Sequence, residues 1–499
     1  MGKQKTTIIN TFNEGLASDR RVNQANKFAL TKHFDAFRYK HKLVPHYNTE
    51  ADEVKAATMT RFVIGIKGSS HVIYALGDSI DTTDLVSIYE HNEGVTLGWV
   101  KPSNYESTID YDLLNGNVLF EYRDKLYTFA DNRLINFTIG GSWDSTGEDL
   151  TSITDVADPV HHPADDIAYF FYDNIVGKID GASAFEDNVL VLPTNLKITS
   201  ACPYGNYLAI GCSTKDTINP KSTVFLWDRD SSLTTVSQQI DFGGGVIEKL
   251  ANLDNKLIAV MSYHLADIYG ADSGKILIKE ATSEKAKVIN KILSDAVLAI
   301  GVMANGIVED NKLYLAIAIK KNGDFRKGIW VIDSNGNATL DYVEEDVADD
   351  GTAVYNGILK TGNMWTIAHS SDGSVNRTKL TSGAKYTFTS KYESLIFDEG
   401  DNSRTKKLIG VTVMTEPLLS TPDNGKIVLK YRKDADLIDG SWTTIFTEAT
   451  DNSIEFDAVN IAGATLPEYK EIQFRIESTG GAVITGLKWK SEIIEKQLY

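Results

Sequence analysis

The amino-acid sequence predicts an all-β protein, in which a β-propeller-like body of about six to seven blades precedes a C-terminal β-sandwich or jelly roll. Between residues 61 and 391, short apolar runs alternate with turn residues, as expected for strands. Within this region, a pattern of strand, tight turn and apolar strand recurs every ~50 residues, which is the size of one blade. After residue 392 the repeat stops, and apolar and polar residues alternate instead.

Composition excludes several classes of protein. The chain has 499 residues, of which 42% are hydrophobic, so large cores can be buried. A formal net charge of -18 argues against a broad basic surface for DNA or anionic lipid. The N-terminus lacks the apolar segment of a secretion signal, and no apolar run is long enough to predict a membrane span.

The two cysteines, Cys202 and Cys212, flank a short apolar run that reads as a strand. Ten residues of fully extended chain span roughly 30 Å, so a disulfide between them requires a hairpin. We therefore expect two reduced, buried thiols, which fits a reducing compartment.

Residues 1–60 do not read as a compact domain. Residues 22–37 fit either one short helix or an extended arm, and residues 41–47 read as extended because Pro45 restricts the residue before it. The segment carries several aromatic residues that pack either on the same chain or on a neighbouring copy: Phe28, Phe34, Phe37, Tyr39 and Tyr47.

The repeat is clearest in four segments, each with a turn that ends in asparagine before an apolar strand. These asparagines are 49, 56 and 52 residues apart, at Asn206, Asn255, Asn311 and Asn363. Fainter copies of the turn occur at 122–127 and 185–190. Two stacked β-sandwiches are the alternative, but the nearly constant period favours a propeller. We therefore divide the chain into an N-terminal arm (1–60), a propeller-like domain (61–391) and a C-terminal sandwich (392–499). In the sandwich, Ile472, Phe474 and Ile476 face one side, and Gln473 and Arg475 face the other.

Two polar clusters contain the residue types that bind metal ions. His161 and His162 precede Asp165 and Asp166, but adjacent residues of an extended chain point to opposite faces, so both histidines do not readily meet one ion. Residues 333–337 (DSNGN) have oxygen-bearing side chains at alternate positions but lack the glutamate that closes an EF-hand loop. A hairpin turn after 330–332 is the preferred interpretation. We predict no metal site and no cofactor.

No catalytic motif stands out. Residues 142–146 (SWDST) begin like the turn of sialidase propellers, but Thr146 occupies the glycine position. Gly243, Gly244 and Gly245 are not followed by a phosphate-binding lysine, so they predict a loop or a bulge. Nucleophile-elbow and zinc-protease motifs are absent from the sequence. The chain has 68 acidic residues, but nothing singles out a glycosidase pair. We predict no catalytic residues and no enzymatic activity.

The layout resembles a known family. A polar arm at 10–16 (NTFNEGL) leads into the β body, and the C-terminal region opens with 392–398 (YESLIFD) and holds 440–445 (GSWTTI), 474–476 (FRI) and 483–487 (VITGL). This arrangement is similar to tailed-bacteriophage virion proteins, particularly the tail hub or nozzle proteins of short-tailed phages.

The resemblance implies a non-enzymatic structural component of the phage tail, located in the virion and assembled in the bacterial host cytoplasm. It also implies contacts with other tail proteins and with copies of itself in a ring. Such a ring surrounds exiting DNA without binding it specifically, and an acidic lumen would repel phosphate. A receptor- or glycan-binding tail appendage and a propeller-type glycan hydrolase are the alternatives.

Overall fold

The structure is a computed structural model in which nearly all regular elements are strands. It describes residues 4–17, 26–52, 59–67, 70–78, 86–91, 99–100, 118–130, 132–142, 147–150, 153–181, 184–216, 218–232, 235–265, 273–294, 301–321, 324–344, 355–362, 364–369, 375–378, 385–418, 421–434, 436–439, 441–449, 453–461 and 463–494.

The N-terminal segment contributes five strands: β1 (Gln4–Ile9), β2 (Leu30–Lys32), β3 (Phe34–Tyr39), β4 (Lys42–Pro45) and β5 (Thr49–Asp52). Where 22–37 is described, it is therefore extended rather than helical. The expected extended conformation of 41–47 is confirmed by β4.

Seven four-stranded antiparallel sheets follow in the described part of the chain. The first sheet contains β6 (Met59–Lys67), β7 (Ser70–Asp78), β8 (Val86–His91) and β9 (Trp99–Val100). The second contains β10 (Phe120–Tyr122), β11 (Lys125–Ala130), β12 (Arg133–Thr138) and β13 (Glu148–Asp149). The third contains β14 (Val156–His162), β15 (Ile167–Tyr172), β16 (Ile175–Ile179) and β17 (Phe185–Val191). The fourth contains β18 (Leu196–Tyr204), β19 (Tyr207–Thr214), β20 (Lys221–Trp227) and β21 (Gln238–Gly244). The fifth contains β22 (Val246–Leu253), β23 (Lys256–Leu265), β24 (Ser273–Ala281) and β25 (Ala286–Ser294). The sixth contains β26 (Gly301–Glu309), β27 (Lys312–Lys321), β28 (Asp324–Ile332) and β29 (Ala338–Tyr342). The seventh contains β30 (Tyr355–Thr361), β31 (Met364–His369) and β32 (Val375–Thr378), and its fourth strand is β5.

These sheets are the blades of a propeller, numbered 1 to 7 in chain order. The innermost strands of blades 3 to 7 contact one another in succession, and β30 of blade 7 contacts β6 of blade 1, which in turn contacts β10 of blade 2. Blades 2 and 3 share an apolar cluster that includes Phe129 and Phe170. The ring is therefore closed, and the prediction of an all-β propeller is confirmed.

The repeated turns connect the first and second strands of a blade. Asp254 and Asn255 have φ values of 51° and 62°, and Asp310 and Asn311 have φ values of 50° and 56°. Two consecutive residues with positive φ are typical of the tight hairpin turns that asparagine and aspartate favour. The faint copy at 122–127 is such a hairpin. The prediction of a turn at 185–190 is wrong, because this segment lies inside β17, where Asn188 has positive φ next to a shift in register.

A β-bulge recurs in the inner strands and was not predicted. The pairing register shifts in six of the seven inner strands, for example between Ala157 and Val160 in β14 and between Ile247 and Lys249 in β22. A bulge places one extra residue on a strand and re-aims the side chains beside it. The bulges in β14 and β22 thereby bring charged side chains to the axis of the propeller, as described below.

The C-terminal region forms two further sheets with the N-terminal strands. Its elements are β33 (Ser390–Glu393), β34 (Lys406–Thr415), β35 (Lys426–Lys433), helix α1 (Asp436–Asp439), β36 (Thr443–Ala449), β37 (Glu455–Asp457), a 3-10 turn (Ala458–Asn460), β38 (Glu468–Tyr469), β39 (Ile472–Thr479) and β40 (Ile484–Ile493). One sheet has the order β3-β4-β40-β34-β37, with β1 also paired to β40 and β38 to β34. The other has the order β2-β33-β39-β35-β36.

Alternation along β39 follows the sequence prediction, with one informative addition. Ile472, Phe474 and Ile476 are fully buried. Gln473 is also buried, because it accepts a hydrogen bond from Arg432 and donates one to the carbonyl of Ser394. Its amide is thus satisfied inside the protein rather than by water.

The N-terminal segment packs on its own chain. Phe12, Phe28 and Phe34 are fully buried, and the rings of Phe12 and Phe28 lie edge-on to Tyr392 at centroid distances of 5.4 and 5.9 Å. The same apolar cluster includes Trp330 of blade 6 and residues of both C-terminal sheets. Of the two packing alternatives for this segment, the structure therefore shows the intramolecular one. Within the described residues, no helix has the length and apolar character needed to cross a membrane.

Candidate functional site

A cavity of about 950 Å³ lies where blades 3, 4 and 5 meet. It is bordered by the loop between β19 and β20, by the connection from β21 to β22, and by the residues just before β14. Loops that join strands at one face of a propeller are common positions for ligand sites, because the sheets beneath them are rigid. We treat this cavity as the candidate functional site.

One wall of the cavity is formed by the three consecutive glycines. The carboxylate of Asp241 accepts a hydrogen bond from Gly243 N at 2.7 Å, and Gly245 N donates to Pro220 O at 2.9 Å. Gly245 has a φ of 103°, and a Cβ atom there would lie 2.8 Å from Ser262 O. Glycine is therefore required at this position. The register of β20 against β21 shifts at this point, so the prediction of a loop or bulge is confirmed.

The opposite wall is a loop that its own side chains hold in place. Asp216 Oδ1 accepts hydrogen bonds from Ile218 N at 2.9 Å and Asn219 N at 3.4 Å, and Thr214 Oγ1 accepts one from Lys221 N at 3.0 Å. These bonds satisfy the backbone of an exposed turn. Ile218 is 76% exposed at its tip.

The cavity lining contains equal numbers of lysine and aspartate side chains, but not all of them make an ion pair or hydrogen bond with described residues. Lys197 Nζ lies 3.4 Å from Asp155 Oδ1. The carboxylates of Asp216 and Asp241 are engaged with backbone amides, as described above. Lys215 and Lys221 are exposed, and within the described residues their amino groups have neither a hydrogen bond nor an ion pair. The cavity thus offers two amino groups to an incoming polar ligand.

A second, smaller cavity of about 210 Å³ lies on the axis of the propeller. Its lining comes from the inner strands, or the residues just before them, of six blades, and it is mostly apolar or small: Phe62, Leu119, Phe120, Pro159, Gly306, Ile307, Gly357 and Ile358. Three charged side chains join them. Lys249 Nζ of blade 5 lies 2.8 Å from Asp158 Oδ2 of blade 3, and Arg61 Nη1 of blade 1 donates to Asn356 O of blade 7 at 2.9 Å.

Burial lowers the pKa of Arg61, and the negative charge of Asp158 opposes that shift without cancelling it. The guanidinium is therefore in an environment that favours its charged form less than water does. Sequence reasoning missed this cluster, because its residues are far apart along the chain and no motif connects them. The cluster also depends on the bulges in β14 and β22, which were not predicted from the sequence.

The two histidines considered as metal ligands point in opposite directions, as alternation predicted. The side chain of His161 is 51% exposed and its Nε2 lies 2.8 Å from Asp166 Oδ1, whereas His162 is fully buried. Arg229 Nη1 lies 2.9 Å from His162 Nδ1 and donates to Asp165 Oδ2 at 2.6 Å. The histidines therefore make separate contacts, His161 within its own hairpin and His162 with Arg229 after β20. Among the described residues, no group of three or more His, Cys, Asp or Glu side chains is arranged to hold a metal ion.

Residues 333–337 form the predicted turn between β28 and β29. Asp333 Oδ1 accepts hydrogen bonds from Asn335 N at 2.9 Å and from Asn337 N at 2.8 Å. The carboxylate stabilises the turn itself, as aspartate commonly does. Of the sialidase-like segment, Ser142 is described and residues 143–146 lie outside the described residues.

The cysteines are buried and not disulfide-bonded. They lie on the paired strands β18 and β19, but the register places Cys202 opposite Ala209 and Cys212 opposite Ile198. The hairpin that a disulfide requires is present, yet it keeps the two sulfurs apart. Burial raises the pKa of Cys202 to about 12 and also raises the pKa of Cys212. The prediction of two reduced, buried thiols is confirmed.

Comparison with known proteins gives likenesses of fold alone. No family model matches the chain, and no curated protein matches it by sequence. Among solved structures, it is similar to the Neurospora crassa Pan2 WD40 domain, with 10% identity and a TM-score of 0.38 over 68% of this chain and 95% of that one. It is also similar to BamB from Moraxella catarrhalis (10% identity, TM-score 0.36, 76% and 99% covered) and to a streptogramin B lyase (12%, 0.33, 57% and 91%). The assignment as a propeller protein rests on the strand order and the closed ring.

Proposed function

We propose that this protein is a non-enzymatic structural component of a tailed-bacteriophage particle, located in the tail at the hub, nozzle or tip. The observation that carries the proposal is the path of the N-terminal segment. Its strands pair with both C-terminal sheets through β1, β2 and β4, and with blade 7 through β5. A part of a particle that bears load benefits from such pairing, because the modules cannot separate without breaking strand pairs.

The same proposal extends to the C-terminal region and to assembly. We take the two C-terminal sheets, which contribute to one apolar core, as a β-sandwich. Virion components act through repeated contacts, so we expect identical copies around a symmetry axis. The acidic character of the chain, with its net charge of -18, suits a ring that exiting DNA passes without being bound.

Mass spectrometry of gradient-purified particles that encode this chain tests the proposal. We expect peptides of the chain in a fixed ratio to the major tail proteins, retained after washing at high salt. Light scattering of the purified protein should in addition give a mass of at least twice the 55.0 kDa of one chain. Absence of the chain from purified particles would reject the structural role.

The cavity where blades 3, 4 and 5 meet favours a second candidate function, a glycan-binding tail appendage. A rigid cavity with amino groups and carboxylates at its rim can hydrogen-bond to sugar hydroxyl groups. A glycan array probed with the wild type and with the double variant Lys215→Ala/Lys221→Ala tests it. Lys287→Ala/Lys291→Ala, which removes two exposed lysines on β25 that do not line the cavity, is the matched control. Binding that is lost in the double variant and retained in the control would favour the appendage.

A further inference from the structure

One face of a C-terminal sheet carries more cations than carboxylates. In the sheet with the order β2-β33-β39-β35-β36, Tyr392, Leu429 and Ile476 are buried in the shared apolar core. Side chains alternate along a strand, so the residues next to these point to the opposite face. Among the described residues, that face, termed the basic face, has six cationic and two acidic side chains: Lys32, Lys391, Lys426, Lys430, Arg432, Arg475, Glu393 and Glu477.

The two carboxylates of the basic face are already engaged by cations of the same face. Glu477 Oε2 lies 2.7 Å from Lys430 Nζ. Glu393 Oε1 accepts hydrogen bonds from Arg475, from Nε at 3.0 Å and from Nη2. The guanidinium of Arg475 also lies 4.1 Å from the centroid of the Trp442 ring, within the range of a cation–π contact. These contacts hold the centre of the face in place and leave other cations at its margins.

Three lysines at those margins, Lys32, Lys391 and Lys426, make neither a hydrogen bond nor an ion pair among the described residues. Lys32 and Lys391 lie directly opposite each other in antiparallel strands. Like charges in this position destabilise a sheet, because the Cβ atoms are only about 5 Å apart. Burial lowers the pKa of Lys391, and the charges of Lys32 and Arg475 lower it further. An acidic group from outside the sheet would relieve this repulsion.

We propose that the basic face is an interface at which an acidic surface of a second copy of this chain docks. The whole chain has a net charge of -18 although this face is basic, so the rest of the chain holds the acidic excess that complements it. Trp442 and Arg475 are also of the residue types that are enriched in protein interfaces. The contact joins two different surfaces, so it is head to tail and can close into a ring. It assigns a surface to the copies expected under the proposed function, and in that respect it rests on that function.

A nucleic acid fits the basic face less well than a protein does. The carboxylates of Glu393 and Glu477 lie among the cations and would repel phosphate groups, as would the acidic remainder of the chain. Charges of both signs on one face instead match a protein surface, which carries both.

Sedimentation equilibrium of the purified full chain, over a range of protein concentrations at low and high salt, tests the interface. We expect self-association that weakens as salt rises, because salt screens charges separated by more than about 10 Å at 0.1 M. Lys391→Glu/Lys426→Glu reverses two charges of the basic face and should weaken self-association by about tenfold or more. Lys287→Glu/Lys291→Glu makes the same change of charge at exposed positions of β25 and should have little effect.

The single variant Lys391→Glu separates a defect of the interface from a defect of folding. It replaces the like-charged pair with Lys32 by an opposite-charged pair, so its melting temperature should be equal to or higher than that of the wild type. Its self-association should nevertheless be weaker.

A wild-type chain that stays monomeric at low salt would overturn the proposal, and so would equal weakening in the two double variants. Binding of duplex DNA by a monomeric wild type, abolished in Lys391→Glu/Lys426→Glu, would assign the face to a nucleic acid instead. These measurements use the purified chain alone, so their failure is distinct from absence of the chain from purified particles, which rejects the tail role.

Discussion

Thr49 and Thr378 lie opposite each other in adjacent antiparallel strands, so a segment near the N-terminus supplies the outer strand of the last blade. Thr49 is fixed there by further contacts, since its N–H donates to Tyr342 Oη at 3.1 Å and its hydroxyl donates to Glu344 Oε2 at 2.6 Å. The propeller is thus closed by strands from both ends of its sequence. The residues that precede this strand form β1 to β4, which belong to the two C-terminal sheets.

The first prediction concerns the N-terminal strands as part of the core. Phe34 on β3 is fully buried in the cluster that joins the propeller to the C-terminal sheets. Phe34→Ala should lower the free energy of unfolding by about 3–5 kcal/mol, because it removes a large side chain and leaves a cavity. Tyr39→Ala on the same strand is the control, since Tyr39 is 46% exposed. Denaturant titration measures both, and equal effects of the two substitutions would contradict the packing described here.

The second prediction is a stability maximum set by two buried histidines with opposite pKa shifts. His33 stacks on Phe388 at 4.6 Å, and burial, assisted by Lys32, holds its pKa well below 6.5. Burial also acts against the charged form of His46, but Asp341, with Oδ1 at 3.0 Å from Nε2, outweighs it and raises the pKa.

The two shifts act on different sides of pH 6.5. The lowered pKa of His33 means that the unfolded state binds the proton more tightly, so this contribution to stability is lost as pH falls below 6.5. The raised pKa of His46 gives a contribution that is complete below 6.5 and is lost as pH rises through the folded-state value. His33→Asn, which tolerates the positive φ of 61°, should flatten the acidic side of the profile, and His46→Asn the other side. Unfolding free energies between about pH 5 and pH 8 test this, and unchanged slopes in both variants would refute it.

The third prediction concerns the thiols. Burial raises the pKa of both Cys202 and Cys212, and the reactive thiolate is correspondingly rare in the folded protein. A thiol-specific reagent at neutral pH should therefore label neither cysteine in the native protein and both after denaturation. Rapid labelling of a native thiol at neutral pH would show that the hairpin of β18 and β19 is more open than the structure has it.

Sequence reasoning reached the repeat because its signal is local. A two-residue turn with positive φ needs residues such as Asp254 and Asn255, and an apolar strand must follow it, so the pattern is written in adjacent positions. The same reasoning failed at Asn188, where positive φ serves a bulge rather than a turn, and the two uses look alike in one sequence.

The parts that sequence reasoning did not reach depend on contacts between distant residues. The pairing of β5 with β32, and of β1 with β40, follows from the closure of the whole fold and leaves no local pattern. The ion pair on the propeller axis also leaves no local pattern, because Lys249 of blade 5 and Asp158 of blade 3 come together only when the blades have packed into the ring. The glycines at 243–245 were recognised as a bulge, but their place in a cavity wall depends on the loop around Asp216.

Differential scanning calorimetry of the full chain tests the central claim most directly, namely that the N-terminal segment makes the propeller and the C-terminal sheets one structural unit. A shared core and shared strands predict a single cooperative transition, with equal calorimetric and van't Hoff enthalpies. Phe34→Ala should shift that transition to lower temperature as a whole. Two separate transitions in the wild type, or a shift of only one of them in the variant, would contradict the account.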